Sequence, residues 1–67
     1  MINSNYLKYL IAEKGLSIED VAVIMKISKQ ALYKKIRGET EWCLRDMKCL
    51  KDFLEMTDED VKKVFDL

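Results

Sequence analysis

Apolar residues recur along this chain at intervals of three and four positions, which is the spacing of one face of an α-helix. Five such stripes follow one another: Leu7, Leu10 and Ile11; Val21, Ala22 and Met25; Leu32 and Ile36; Leu44, Met47, Leu50 and Leu54; and Val61, Val64 and Phe65. No segment alternates apolar and polar residues with the period of two that is typical of half-buried strands. The pattern therefore predicts a compact all-α domain of five helices.

Polar capping residues separate the apolar stripes and predict where the helices begin and end. Asn3 or Ser4 is expected to cap the first helix, and Gly15 is expected to end it in the left-handed conformation. Ser17, with Asp20 three residues later, resembles a capping box for the second helix. By the same reasoning the later helices are predicted over about 18–25, from the cap at Ser28 to Gly38, over about Cys43–Leu54, and over Asp58–Asp66.

The chain is short and holds few residues that break regular structure. Its 67 residues include two glycines and no proline, and 49% are apolar, which predicts a single domain over residues 1–67 with a thin core. There is no apolar run of the ~18 residues that suggest a transmembrane helix. The first residues also lack the features of a secretory signal. We therefore expect a cytoplasmic protein without a membrane partner.

The residue types that most often carry catalysis or bind metal ions are scarce. The chain has no histidine, and its two cysteines alone make no credible zinc site. It has no glycine-rich phosphate loop and no serine in a nucleophile-elbow context. We therefore expect that the protein is not an enzyme, and that it uses no cofactor, metal ion or small-molecule substrate.

Positive charge is concentrated in one segment of a chain that is neutral as a whole. The chain has 12 basic and 12 acidic side chains. Residues 26–38 carry five basic side chains and no acidic one, whereas residues 1–25 carry two against three and residues 39–67 carry five against nine. Such segregation gives a positive end that favours a polyanion, and an acidic far side that helps to orient its approach.

The second and third predicted helices are separated by only about three residues, which favours a steep helix-turn-helix crossing. In that arrangement Ala22 allows close approach of the helices, and Leu32 packs back against the second helix. The outward face of the third helix then carries Lys29, Gln30, Tyr33 and Lys34. Glutamine can hydrogen-bond adenine twice, and lysine can reach guanine, so this face suits the DNA major groove.

The run LSIEDVAVIMKISKQALYKKIRGETEWCLRDMKCLKDFLEMTDEDVKKVF resembles the lambda-repressor-like, Cro/repressor-type (XRE) helix-turn-helix family, and most closely the small regulators of phages and mobile elements. The resemblance covers nearly the whole chain and implies a five-helix domain that binds operator DNA, commonly as a homodimer. It implies base contacts by Lys29, Gln30 and Lys34. The full set of implied DNA-contacting residues is Ser28, Lys29, Gln30, Tyr33, Lys34 and Arg37.

The chain departs from the family pattern at several positions. Ile18 stands where the family often has a phosphate-contacting glutamine, Lys26 replaces the glycine of the turn, and Cys43 replaces a serine or threonine cap. Together with the zero net charge, Ile18 favours an alternative in which the helix-turn-helix domain binds a protein and no specific DNA. The basic segment favours double-stranded DNA, which is our main expectation.

Val23 and Ile24 make the second helix apolar on nearly every side. Either they belong to a larger core, or they form a surface that a partner covers. We expect a homodimer on DNA, since one small domain reads one half-site. Its expected surfaces are the Val23–Ile24 patch and the last helix, with Met56, Val64 and Leu67.

Overall fold

The computed structural model describes residues 2–67, and these residues form five α-helices and no strand. The helices are α1 (Ser4–Glu13), α2 (Ile18–Met25), α3 (Lys29–Ile36), α4 (Leu44–Phe53) and α5 (Asp58–Phe65). The prediction of an all-α domain with five helices is confirmed. Within the described part of the chain, no helix is both long enough and apolar enough to cross a membrane.

Side-chain caps begin α1, α2, α3 and α5 where the polar pattern indicated, whereas the N-cap side chain of α4 makes no such hydrogen bond. The Asn3 carboxamide oxygen accepts a hydrogen bond from the backbone N–H of Tyr6 at 3.1 Å. Ser17 and Asp20 form a reciprocal capping box, in which the Asp20 N–H donates to Ser17 Oγ and the Ser17 N–H donates to Asp20. Such caps satisfy backbone donors that have no partner inside the helix.

One fully buried side chain from each helix meets at the centre of the molecule. These side chains are Leu7, Val21, Leu32, Leu50 and Val64, and each has 0% exposed surface. The core continues through Ile11, Ala22, Ile36, Leu54, Met56 and Phe65. Because every helix contributes to one small cluster, the helices stabilise one another and none is an independent unit.

Three details differ from the expectations drawn from the pattern. Leu44 is 69% exposed, because α4 begins at this residue and its inward face starts later, at Met47. Met56 and Val64 are buried in the core at 5% and 0% exposure. They are therefore unavailable to a dimer surface, and only Leu67 of that predicted set, at 78% exposure, is accessible.

Three helices are followed by a non-glycine residue in the left-handed conformation. Lys26 follows α2 with φ +59°, Glu55 comes after α4 with φ +52°, and Asp66 follows α5 with φ +57°. Gly15 and Gly38, at φ +71° and +81°, adopt the same region at the ends of α1 and α3 as their positions predicted. At Lys26 the conformation carries a steric cost of roughly 1 kcal/mol that glycine would avoid.

Hydrogen bonds between the α1 and α5 regions hold the first and last parts of the described chain together. The backbone N–H of Asn3 donates to the Val64 carbonyl at 2.7 Å, and the Tyr6 hydroxyl donates to the Asp60 carboxylate at 2.6 Å. Lys63 Nζ lies 5.4 Å from the centre of the Tyr6 ring. This polar contact lies beside the core and joins two helices that are far apart in sequence.

Candidate nucleic-acid interface

The connection between α2 and α3 is short and tightly bonded. It consists of Lys26, Ile27 and Ser28. The Ile27 N–H donates to the Ala22 carbonyl and the Lys26 N–H to the Val23 carbonyl, both at 3.1 Å. The left-handed Lys26 turns the chain away from α2, and Ile27 packs partly buried against the core. The two helices are therefore held in a fixed relation to each other.

Ser28 acts first as the cap of α3. Its Oγ accepts a hydrogen bond from the Ala31 N–H at 3.0 Å, and its carbonyl accepts from the Leu32 N–H at 3.0 Å. The residue is exposed at the start of the helix. The serine that the family resemblance assigned to DNA contact is thus also a structural residue.

The candidate reading residues share one exposed face of α3. Lys29, Gln30 and Lys34 are exposed and Tyr33 is partly buried, while Leu32 and Ile36 on the opposite face are buried. Arg37 lies exposed just beyond the helix end. Because α3 is a regular helix, residues four apart along it project from the same side. The sequence-predicted set is therefore brought together on a single surface.

Two of the cations on this surface form ion pairs with acidic side chains. Lys29 Nζ lies 2.9 Å from Glu19 on α2, and this hydrogen bond raises the pKa of Lys29. Arg37 is paired with Glu39, and the hydrogen bond from its guanidinium lowers the pKa of Glu39. Counting charge by segment missed both pairs, because Glu19 and Glu39 lie outside residues 26–38.

Lys35 belongs to the basic segment but is held inside the domain. Its Nζ lies 2.9 Å from Asp46 and 3.0 Å from the Glu41 carbonyl, and it sits 5.9 Å from the centre of the Trp42 ring. Burial raises the pKa of Asp46, but hydrogen bonds from Lys35 and from the Cys43 N–H outweigh it, so that pKa lies below its ordinary value. Lys35 therefore anchors the α3–α4 loop.

The loop between α3 and α4 is fixed from the other side by Trp42. Its indole N–H donates to the Lys35 carbonyl at 3.0 Å, and its ring meets Phe65 edge to face at 5.4 Å. The loop thereby brings Thr40 beside the start of α3. No sequence feature had indicated Thr40, which reaches this position only through the tertiary packing.

A shallow cavity of about 340 Å³ lies where α3 faces the loop. It is lined by Ser28, Gln30, Ala31, Lys34, Lys35 and Thr40. The side chain of Lys34 makes no ion pair within residues 2–67, so it remains the available cation of this cavity. Hydroxyl, amide and ammonium groups together suit an anionic ligand with hydrogen-bonding edges.

Comparisons with family models, curated proteins and solved structures found no match to this chain. The described residues also contain no cluster of three or more side chains suited to a metal ion.

Proposed function

We propose that this protein is a sequence-specific regulator that binds double-stranded DNA through a helix-turn-helix formed by α2 and α3. The observation that carries the proposal is the exposed face of α3, which groups Lys29, Gln30 and Lys34 beside partly buried Tyr33. A single α-helix fits the major groove, where base edges present hydrogen-bond donors and acceptors. The domain is of the lambda-repressor-like type, which the sequence resembles.

Within the proposed interface, Gln30 and the lysines read bases. Gln30 lies in the first turn of α3, and the first turn of a recognition helix meets base edges most directly in this class. Its carboxamide offers a donor and an acceptor together, which matches adenine. Lys29 and Lys34 supply donors for guanine O6 and N7.

The remaining groups of the interface hold phosphates. Ser28 and Thr40 offer hydroxyl groups at the edge of α3, and the first backbone amides of a helix favour an anion. Arg37 lies at the opposite end of the helix. Contacts at both ends would fix the register of α3 along the groove, since phosphate contacts set position and base contacts set sequence.

Binding requires two ion pairs to exchange partners. Lys29 leaves Glu19, and Arg37 leaves Glu39, when each cation meets DNA. Exposed ion pairs contribute only ~0–1 kcal/mol, so the exchange is feasible. The acids nevertheless weaken attraction to any polyanion, for specific and non-specific DNA alike, so base contacts must supply the difference between the two.

The proposal is tested by selecting binding sites from random duplexes and then measuring affinity for the selected duplex over a range of salt concentration. We expect a defined site and an affinity that falls as salt rises, because phosphate contacts release counterions. If no duplex can be selected, or if binding does not depend on salt, the proposal is wrong.

A second function, in which the domain binds another protein and no specific DNA, is favoured by one observation. Val23 is 77% exposed and Ile24 is 41% exposed on α2, and adjacent exposed apolar residues often mark a partner surface. Retention on heparin separates the two functions, since a DNA-binding domain is held at low salt and released at moderate salt. A chain that heparin does not retain supports the protein-binding function.

A further inference from the structure

A groove of about 550 Å³ lies between the end of α2 and the start of α4. Its apolar lining comes from Ile24, Met25 and Ile27 on one side, and the thiol-bearing residues Cys43 and Cys49 border the other side. Cavities of roughly 300–1,000 Å³ commonly hold small molecules, and similar grooves accept side chains of a partner helix. The groove is thus large enough for a few side chains from another molecule.

The apolar surface extends from the groove onto α2. Ile24 is 41% exposed and lines the groove, while its neighbour Val23 is 77% exposed outside it. The fold therefore leaves most of Val23 and a substantial part of Ile24 uncovered. Continuous apolar area of this kind is stabilised when a partner removes it from water, at about 25 cal/mol per Å² buried.

The charged groups at the groove are unbalanced. Lys35 is paired with Asp46 inside the fold, but Lys26 and Arg45 make no ion pair with any residue in 2–67. Both line the groove and both are exposed. A ligand that covers the apolar surface therefore gains affinity and orientation from carboxylates placed beside these two cations.

We propose that this groove binds an amphipathic, acidic helical segment of a partner protein. Apolar side chains spaced i, i+3, i+4 along such a segment would cover Ile24 and Ile27, and flanking Asp or Glu residues would pair with Lys26 and Arg45. DNA fits this surface poorly, because its phosphates offer nothing to cover the exposed Val23 and Ile24.

A second copy of this chain would fit the groove less well than such a segment. Its most acidic stretch is the first turn of α5, where Asp58 is paired with Lys51 and Asp60 accepts from Tyr6. Two of the three acids in this turn are therefore already engaged within their own domain, and only Glu59 is left for another molecule. A foreign segment with free carboxylates matches the groove better.

The groove is separate from the candidate DNA-reading surface. None of the six candidate DNA-contacting residues lines it, and Lys35 is its only lining residue from α3. A partner segment and DNA can therefore bind at the same time, and the inference does not depend on the proposed DNA binding.

The test is selection of displayed random peptides against the whole chain, with peptides of about 16 residues, long enough to form a helix on binding. We expect enrichment of Asp and Glu together with large apolar residues at helical spacing. Ile24→Glu and Arg45→Glu should each weaken the selected peptides by about tenfold or more. Circular dichroism should show that both exposed-site variants remain folded.

The matched controls likewise replace one apolar and one basic residue by glutamate, but at positions beside the groove. Leu44→Glu and Lys48→Glu alter exposed residues of α4 that do not line it, and both should leave peptide binding unchanged. The proposal is overturned if no peptide is selected, if acidic residues are not enriched, or if the control variants weaken binding equally. Self-association that Ile24→Glu abolishes would assign the groove to a second copy and also overturn it.

Discussion

Gln30 and Arg37 lie at opposite ends of one short helix and are expected to contribute differently to DNA binding. Gln30 lies exposed in the first turn of α3, and its side chain makes no hydrogen bond to another side chain of residues 2–67. Arg37 follows the helix and is held by Glu39 in the free protein. In the proposed complex, Gln30 would meet base edges and Arg37 would exchange the carboxylate for a phosphate.

We expect Gln30→Ala to weaken binding to the selected duplex by roughly 1–3 kcal/mol and to relax preference at one base pair, with little change on random DNA. Arg37→Ala should weaken all duplexes alike and reduce the salt slope by about one unit. Fluorescence anisotropy on specific and random duplexes measures both. If the two variants behave identically, the α3 surface is an electrostatic patch and does not read sequence.

Leu32 and Leu44 make a matched pair of leucines on neighbouring helices. Leu32 is fully buried and Leu44 is 69% exposed. Leu32→Ala should lower the free energy of unfolding by roughly 2–5 kcal/mol, because it leaves a cavity in the core. Leu44→Ala should change it by no more than about 0.5 kcal/mol. Urea unfolding followed by circular dichroism gives both values, and a large effect at Leu44 would contradict its exposed position.

The hydrogen bond between Tyr6 and Asp60 predicts how stability depends on pH. The hydrogen bond from Tyr6 lowers the pKa of Asp60 in the folded protein. The stability it contributes is therefore present above the unfolded-state pKa of Asp60 and is lost as pH falls through the lower folded-state pKa. The same bond raises the pKa of Tyr6, so its contribution also fades as pH rises through that raised value.

Tyr6→Phe should accordingly make stability depend less on pH, at both the acidic and the alkaline end, while it keeps the aromatic packing against α5. The measurement is the unfolding midpoint in urea from acidic to strongly alkaline pH, compared with the unchanged chain. Tyr9→Phe is the control, since Tyr9 is 54% exposed. A Tyr6→Phe variant with the same pH profile as the unchanged chain would show that the bond adds nothing to stability.

At the scale of the elements, α2 and α3 are coupled by a charge pair as well as by their core contacts. Glu19 in the first turn of α2 holds Lys29 at the start of α3. In the proposed complex this glutamate would compete with DNA for Lys29 and would also repel nearby phosphates.

Glu19→Gln should strengthen binding to specific and random duplexes, by up to about fivefold, since an exposed ion pair is worth at most about 1 kcal/mol. Glu13→Gln is the matched control, because it removes the same charge from an exposed position on α1. Titrations at one salt concentration compare the two. Equal gains from both variants would mean that only net charge matters and that Glu19 has no specific role.

At the scale of the whole molecule, the protein is small enough that one copy would cover only one half-site. Its radius of gyration is 10.6 Å and its longest extent is 27 Å. Half-sites of two-fold helix-turn-helix dimers lie about one helical turn apart, ~34 Å. A single domain cannot span that distance, so we propose that two copies bind a palindromic site.

Sedimentation of the complex on a full palindromic duplex should give two protein chains for each duplex, whereas a half-site duplex should hold one. The exposed Leu67 is the remaining apolar candidate at the end of α5, because Met56 and Val64 are buried. Leu67→Glu should reduce cooperativity on the full site without changing half-site affinity. A one-to-one complex on the full site would disprove the dimer.

The local order of the chain determined the number and type of its elements. Caps such as Ser17 with Asp20, and helix-ending residues such as Gly15, act on their own neighbours. Their effect is therefore readable from spacing alone. The inward stripes were predictable for the same reason, apart from Leu44. This leucine fits the helical period of α4, but it is the first residue of the helix and lies exposed outside the core.

Only the tertiary structure decided which charges and apolar side chains are available. Glu19 on α2 pairs with Lys29 on α3, and Asp46 on α4 pairs with Lys35. The hydrogen bond from Trp42 holds the α3–α4 loop against α3. Each effect joins residues of different elements, and sequence spacing carries no information on such distances. The order of charges along the chain thus predicted a basic segment, but the packing of the helices determined that Lys34 and Lys26 remain its cations without an ion pair in residues 2–67.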